Sequence, residues 1–238
     1  ARNALGKTEE EMINKCIAYY RDLELDPGYQ GHFEEQYCSA FQDFMGGGYA
    51  DVVATGTAAL YIALAALNLP KGSEVLVSPI TDPGTISAII MNELKPKLMD
   101  SMQDSYNVGP EQMVSRIGPK TKAAVIVHAF GQAAPIETIV KDAHNFGLKV
   151  VEDCSHAHGA SCKGQKVGTF GDIAAFSTMY RKAHMTGASG GVVYSRNKAF
   201  SRMALAYADR GKPRWQEDFN DQDPSNYLFP ALNLHTDE

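Results

Sequence analysis

The chain has 238 residues, 44% of them hydrophobic and 21% charged, with a formal net charge of −6. That length supports one large core, and the acidic balance argues against nucleic acid or an anionic membrane as the main partner. No apolar run approaches the roughly 18 residues that span a bilayer, and the stretch 1–14 is too polar for a signal peptide. The four cysteines (Cys16, Cys38, Cys154, Cys162) lack the paired spacing of a disulfide framework, so a cytoplasmic compartment is expected.

Residues 1–48 read as a helical arm, with amphipathic stretches at 9–20 and 33–44. Strand-like and helix-like segments then alternate: a strand at 51–54, an Ala/Leu-rich helix at 57–67, a strand at 74–77, a helix at 85–92 and a short strand at 97–99. A helix over 110–117 leads to the strongest strand, 123–128. Residues 135–146 open with proline and carry apolar residues at helical spacing, followed by a strand at 148–151. A hairpin is predicted over 159–167 with its turn at Lys163-Gly164, and strands at 173–176 and 191–194 flank a Gly/Ser/Thr-rich loop. This order predicts an α/β fold: a mostly parallel sheet with helices on both faces, residues 49–238 forming one domain. The stretch 232–238 stops without a helix cap or polar tail, which leads us to expect a longer protein.

In such sheets ligands bind beyond the carboxyl ends of the strands, where Thr55-Gly56-Thr57, Asp153 and Ser177 all fall. Gly56-Thr57 joins a strand to a helix whose first N–H groups and positive dipole end suit a phosphate; a plain turn capped by Thr57 is the simpler reading. Neither GxGxxG nor GxxxxGKS is present. Lys182 follows a short apolar strand in a loop of small residues, the setting a Schiff-base lysine needs: partial desolvation, and room for a flat ring. Glu152-Asp153 ends a strand and places an acid where it could face a ring nitrogen, or simply marks where the strand meets solvent. His128 ends an apolar strand and reads equally as a core-edge histidine. Cys154, His156, His158 and Cys162 lack zinc-site spacing, so no metal is assigned.

Together these residues resemble the sugar aminotransferases of the DegT type, pyridoxal-phosphate enzymes of fold type I, from about Phe33 to the last residue. The match consists of the Thr-Gly-Thr-x-Ala-Leu turn at 55–60, the Glu-Asp segment at 152–160, Gly-x-x-Gly-Asp-x-x-x-Phe-Ser at 168–177, and a looser Thr-Gly-x-x-Gly-Gly at 186–191. The resemblance implies that the chain is the large, cofactor-binding domain of a longer protein whose small C-terminal domain is absent. It implies that Lys182 forms the Schiff base with pyridoxal 5'-phosphate and shuttles protons, and that Asp153 holds the pyridine nitrogen protonated. It further implies that His156 contacts the ring and that Gly56, Thr57 and Ser177 bind phosphate. Asn233 matches an asparagine that reaches the neighbouring subunit's phosphate, which implies a homodimer with shared active sites. The implied reaction moves an amino group, with glutamate as donor, to a keto-sugar.

Three departures bear on substrate. Asp82 stands in a cofactor-contacting position where the family has a stacking aromatic; either it addresses the substrate or the alignment slips near 79–83. Met179-Tyr180-Arg181 replace His-Pro-Thr before the lysine, so Arg181 could meet an anionic substrate. His235 replaces an arginine. These differences suggest an acidic keto-sugar. Alternatives are a sugar 3-dehydratase, which carries histidine at the lysine position and makes His184 relevant, and a non-catalytic cofactor-binding regulator.

Overall fold

The computed structural model describes residues 5–236 of the chain, so the expectations about Ala1 and Glu238 lie outside the described residues. Its centre is a seven-stranded sheet made of β1 (Tyr49–Val53), β2 (Glu74–Val77), β3 (Lys95–Leu98), β4 (Thr121–Val127), β5 (Lys149–Asp153), β8 (Ile173–Ser177) and β9 (Gly191–Ser195). The strand order is β1-β9-β8-β5-β4-β2-β3. All pairs are parallel except those of β9, which runs against both β1 and β8. The short β6 (Ser161–Cys162) and β7 (Gln165–Lys166) form the predicted hairpin. Lys163 and Gly164 hold φ of 50° and 82°, the positive pair that such a tight two-residue turn requires.

The central strands are mostly apolar because both their faces are covered, as expected for a parallel sheet, whereas the edge strand β3 is Lys-Pro-Lys-Leu with no buried residue. Side chains alternate between the faces. Leu76, Ala124, Ile126, Val150, Phe176 and Tyr194 enter one core. Val75, Val77, Ala123, Val125, Val151 and Ile173 enter the other. The first core is closed by α2 (His32–Met45), α5 (Pro110–Val114) and α6 (Ile136–Asn145), through Phe41, Met45, Met113 and Ile139. The second is closed by α3 (Gly56–Ala66), α4 (Pro83–Met91) and α7 (Lys198–Ala208), through Ile62, Leu64, Ile89 and Ala204.

The expected N-terminal arm is two unlike helices. In α1 (Lys7–Asp22) Tyr20 alone is buried, whereas α2 packs Phe41 against Phe176 with ring centroids 5.1 Å apart. The helix α7 was not predicted, although Asn197 caps it by accepting the Ala199 N–H at 2.9 Å. Among the described residues no helix is long and apolar enough to cross a membrane.

Candidate active site

The carboxyl ends of β1, β2, β4, β5 and β8 surround a cavity of about 610 Å³, a size typical of small-molecule sites. Gly56, Thr57, Asp82, Asp153, His156, Ser177 and Lys182 all line it. Of the remaining expected site residues, Arg181 and Asn233 are not in the wall. Arg181 is exposed with its guanidinium 5.2 Å from the Tyr180 ring, and Asn233 donates to the Tyr29 hydroxyl at 3.1 Å.

The α3 end differs from the sequence reading in one respect. Thr55, not Thr57, is the cap: its hydroxyl accepts the Ala58 N–H at 2.9 Å. Thr57 is thereby left exposed toward the cavity. The first N–H groups of a helix have no intrahelical acceptor, so those of Gly56 and Thr57 remain for a ligand. Gly56 is sterically required, because a Cβ there would lie 2.6 Å from Ser177 Cβ.

Asp153 ends β5 and is 4% exposed. Its Oδ2 accepts from the Thr85 hydroxyl at 3.0 Å and its Oδ1 from the Ser155 N–H at 3.1 Å. Thr85 in turn accepts from Thr81 at 2.8 Å. The sequence reading missed Thr81 and Thr85; their spacing of four residues around the Asp82 cap was the available signal. Asp82 itself caps α4 by accepting the Gly84 N–H at 2.8 Å, which gives this acid a local structural reason as well as a place in the wall.

Glu152 serves a different purpose from its neighbour. Fully buried, it accepts from Gly168 and His128 through Oε2 at 2.7 and 3.0 Å, and from Phe170 and Gly171 through Oε1 at 2.8 and 2.7 Å. His128 Nδ1 accepts the Ala134 N–H at 3.1 Å, which leaves Nε2 to donate to Glu152. His128 is therefore a satisfied core histidine that touches the cavity floor.

Lys182 rides on a loop closed on itself at Thr178. The Thr178 N–H donates to Gly190 O at 2.9 Å and the Thr186 N–H to Thr178 O at 3.0 Å. The lysine is half-buried, and that burial pushes its pKa below the usual lysine value, while Asp153 and Asp82 pull it back up. His156 is also held low, first by burial and then by Lys182. Its ring stacks on exposed Phe130, with centroids 6.2 Å apart. Phe130 sits at φ 54°, an uncommon conformation for a bulky residue, and lines the cavity; no sequence motif marks it. His184 faces away from the cavity. It is hydrogen-bonded to the Tyr37 hydroxyl at 2.8 Å and stacked on that ring.

The model of the DegT/DnrJ/EryC1/StrS aminotransferase family matches residues 9–229. The chain belongs to this family. Among its relatives, the GDP-perosamine synthase of Vibrio cholerae is 30% identical over 232 residues, 96% of this chain and 61% of that protein. The solved aminotransferase from Psychrobacter cryohalolentis superposes with a TM-score of 0.90 at 28% identity, covering 100% of this chain and 60% of that one. The E. coli GDP-4-keto-6-deoxy-D-mannose-3-dehydratase shares the fold, with a TM-score of 0.87 at 22% identity over 100% of this chain and 63% of its own. The chain thus spans less than two thirds of the length of these DegT/DnrJ/EryC1/StrS relatives and neighbours. The α/β architecture with a mostly parallel sheet is that of fold type I transferases, as expected.

Proposed function

We propose that the chain is the cofactor-binding domain of a pyridoxal-phosphate-dependent aminotransferase. The observation that carries this reading is that Asp153, Lys182 and the N-terminus of α3 line one cavity. The residues present fit the cofactor: the α3 N-terminus accepts an anion where Gly56 and Ser177 close on each other, and Asp153 offers a buried carboxylate to a protonated ring nitrogen. The names of the perosamine synthase and of the neighbouring aminotransferase support it.

Bound pyridoxal phosphate supplies an aldehyde for the lysine amine and an electron-withdrawing ring for the substrate carbon. Gly56, Thr57 and Ser177 bind the phosphate, and Asp82 and His156 border the ring. Asp153, oriented by Thr85 and Ser155, keeps the ring nitrogen protonated. Lys182, whose amine burial makes easier to deprotonate, takes and returns a proton at its Nζ. Arg181 would meet an acidic substrate from the loop's outer side, and Asn233 would serve a partner's site in a cytoplasmic homodimer.

The amino group moves, with glutamate as donor, to a nucleotide-linked or acidic keto-sugar, in the making of a cell-surface polysaccharide such as lipopolysaccharide or of a secondary metabolite. The dehydratase alternative needs a histidine at the cavity, and His184 is held behind it by Tyr37. The regulator alternative needs Lys182 and Asp153 only to hold the cofactor, and the names of the relatives, a synthase and an aminotransferase, favour catalysis over it. Loading the intact protein with pyridoxal phosphate should give visible absorbance, and borohydride should fix a phosphopyridoxyl group on Lys182, read by peptide mass spectrometry. A protein that stays colourless and unlabelled would sink the reading.

A further inference from the structure

Glu34, Asp51 and His235 come from three separate stretches: the first turn of α2, strand β1, and the segment after α7. They are 7%, 6% and 7% exposed. One ligating atom of each lies within 4.8 Å of those of the other two. Asp51 Oδ2 is buried without a hydrogen-bond partner, and His235 Nδ1, buried beside the Val52 backbone, makes no hydrogen bond of good geometry. Glu34 Oε2 accepts the Gln30 N–H at 2.6 Å, and His235 Nε2 meets the Gln30 amide nitrogen at a long 3.4 Å.

Glu34 and Asp51 are two acids buried side by side. A third acid, Asp209, acts on Asp51 through its charge. Asp209 is already engaged by Arg210 and Arg214 at 2.7 Å each. A buried carboxylate pair of this kind needs either a proton or a cation.

We propose that Glu34, Asp51 and His235 bind a divalent cation. Two carboxylate oxygens and an imidazole nitrogen suit Zn²⁺ or Mn²⁺. Metal–ligand bonds of about 2.1 Å put the ligands of a tetrahedral site about 3.4 Å apart, so the three side chains, now within 4.8 Å of one another, close on the ion by up to about 1.4 Å. The ion gives the orphaned Asp51 Oδ2 a partner and offers His235 Nδ1 a better one than the Val52 backbone. It also fastens the segment bearing His235 to the sheet edge, where Ala54 N–H already donates to Leu234 O at 2.9 Å. None of the three residues lines the active-site cavity, so the site is structural. The cluster of His128, Glu152 and Cys154 is different, because hydrogen bonds already occupy both histidine nitrogens and both Glu152 oxygens.

The test is metal analysis of the intact protein, purified without chelator or metal-affinity tag. About one equivalent of Zn²⁺ or Mn²⁺ per chain is expected. Chelation should lower Tm by roughly 5–10 °C, and the added metal should restore it. Asp51→Asn should abolish both metal retention and the chelator response while pyridoxal phosphate loading survives. His235→Asn serves the same purpose if that variant does not fold. No retained metal and no Tm response to Zn²⁺ or Mn²⁺ would overturn the proposal; greater stability of Asp51→Asn would then identify a carboxyl that carries a proton instead.

Discussion

The Thr85 hydroxyl donates to Asp153 Oδ2 at 3.0 Å, joining the first turn of α4 to the end of β5 across the floor of the cavity. This bond aims a carboxylate that the sequence can identify by means of a residue it cannot. Asp153→Asn should lower turnover about 10²–10³-fold, the scale for losing a preorganised charge at a reacting centre. Thr85→Val, which leaves the Ser155 N–H on Oδ1, should cost about 1–2 kcal/mol, or roughly 5–30-fold. Steady-state kinetics with loaded enzyme check the ranking. Equal losses from both substitutions would mean that Thr85 acts by more than orienting the acid.

Glu152, next in sequence to Asp153, should behave as a purely structural acid. Its oxygens accept from Gly168, Phe170, Gly171 and His128, fixing the approach to β8. Glu152→Gln turns one acceptor into a donor facing donors in a fully buried place. The expected loss is about 3–5 kcal/mol of stability in urea denaturation. A loss below about 1 kcal/mol would show that the loop rearranges freely around the amide.

Lys182 has a pH signature distinct from its chemistry. Burial lowers its folded-state pKa from the ordinary 10.5, so the unfolded chain binds the extra proton between the two values. The cost to stability is full at pH below the folded value and vanishes as pH rises to the unfolded one. Lys182→Met should therefore abolish cofactor fixation yet raise the Tm of the cofactor-free protein near pH 7, the gap narrowing on the way to pH 10.5. A pH-independent gap in thermal melts would assign the effect to packing instead.

Legibility followed the range of the interactions. Elements set by local pattern, such as α3 and β4 or the turn at Lys163-Gly164, stand where the apolar runs and turn residues put them. Residues at strand ends were readable as site candidates because parallel sheets place ligands there. Contacts set by tertiary packing were not: β9 running between β1 and β8, α2 lodging Phe41 on Phe176, and Phe130 lying over His156 each join residues far apart in the chain. The Thr55 cap was misread because Thr57 fits the same local rule, and only the hydrogen bond to Ala58 distinguishes them.

Gly56 offers the sharpest steric test. It is the first residue of α3, with φ outside the left-handed region, so backbone conformation alone would admit alanine. Space forbids it, since the new Cβ would stand 2.6 Å from Ser177 Cβ. Gly56→Ala should push α3 away from β8 and weaken pyridoxal phosphate binding by about 10-fold or more, the effect of roughly 1.4 kcal/mol. Adding Ser177→Gly removes the atom it strikes, so the double variant should regain stability while affinity stays low for want of the hydroxyl. The two substitutions must then be non-additive in stability, as contacting residues are. Additive losses in a double-mutant cycle would place the damage elsewhere than between α3 and β8.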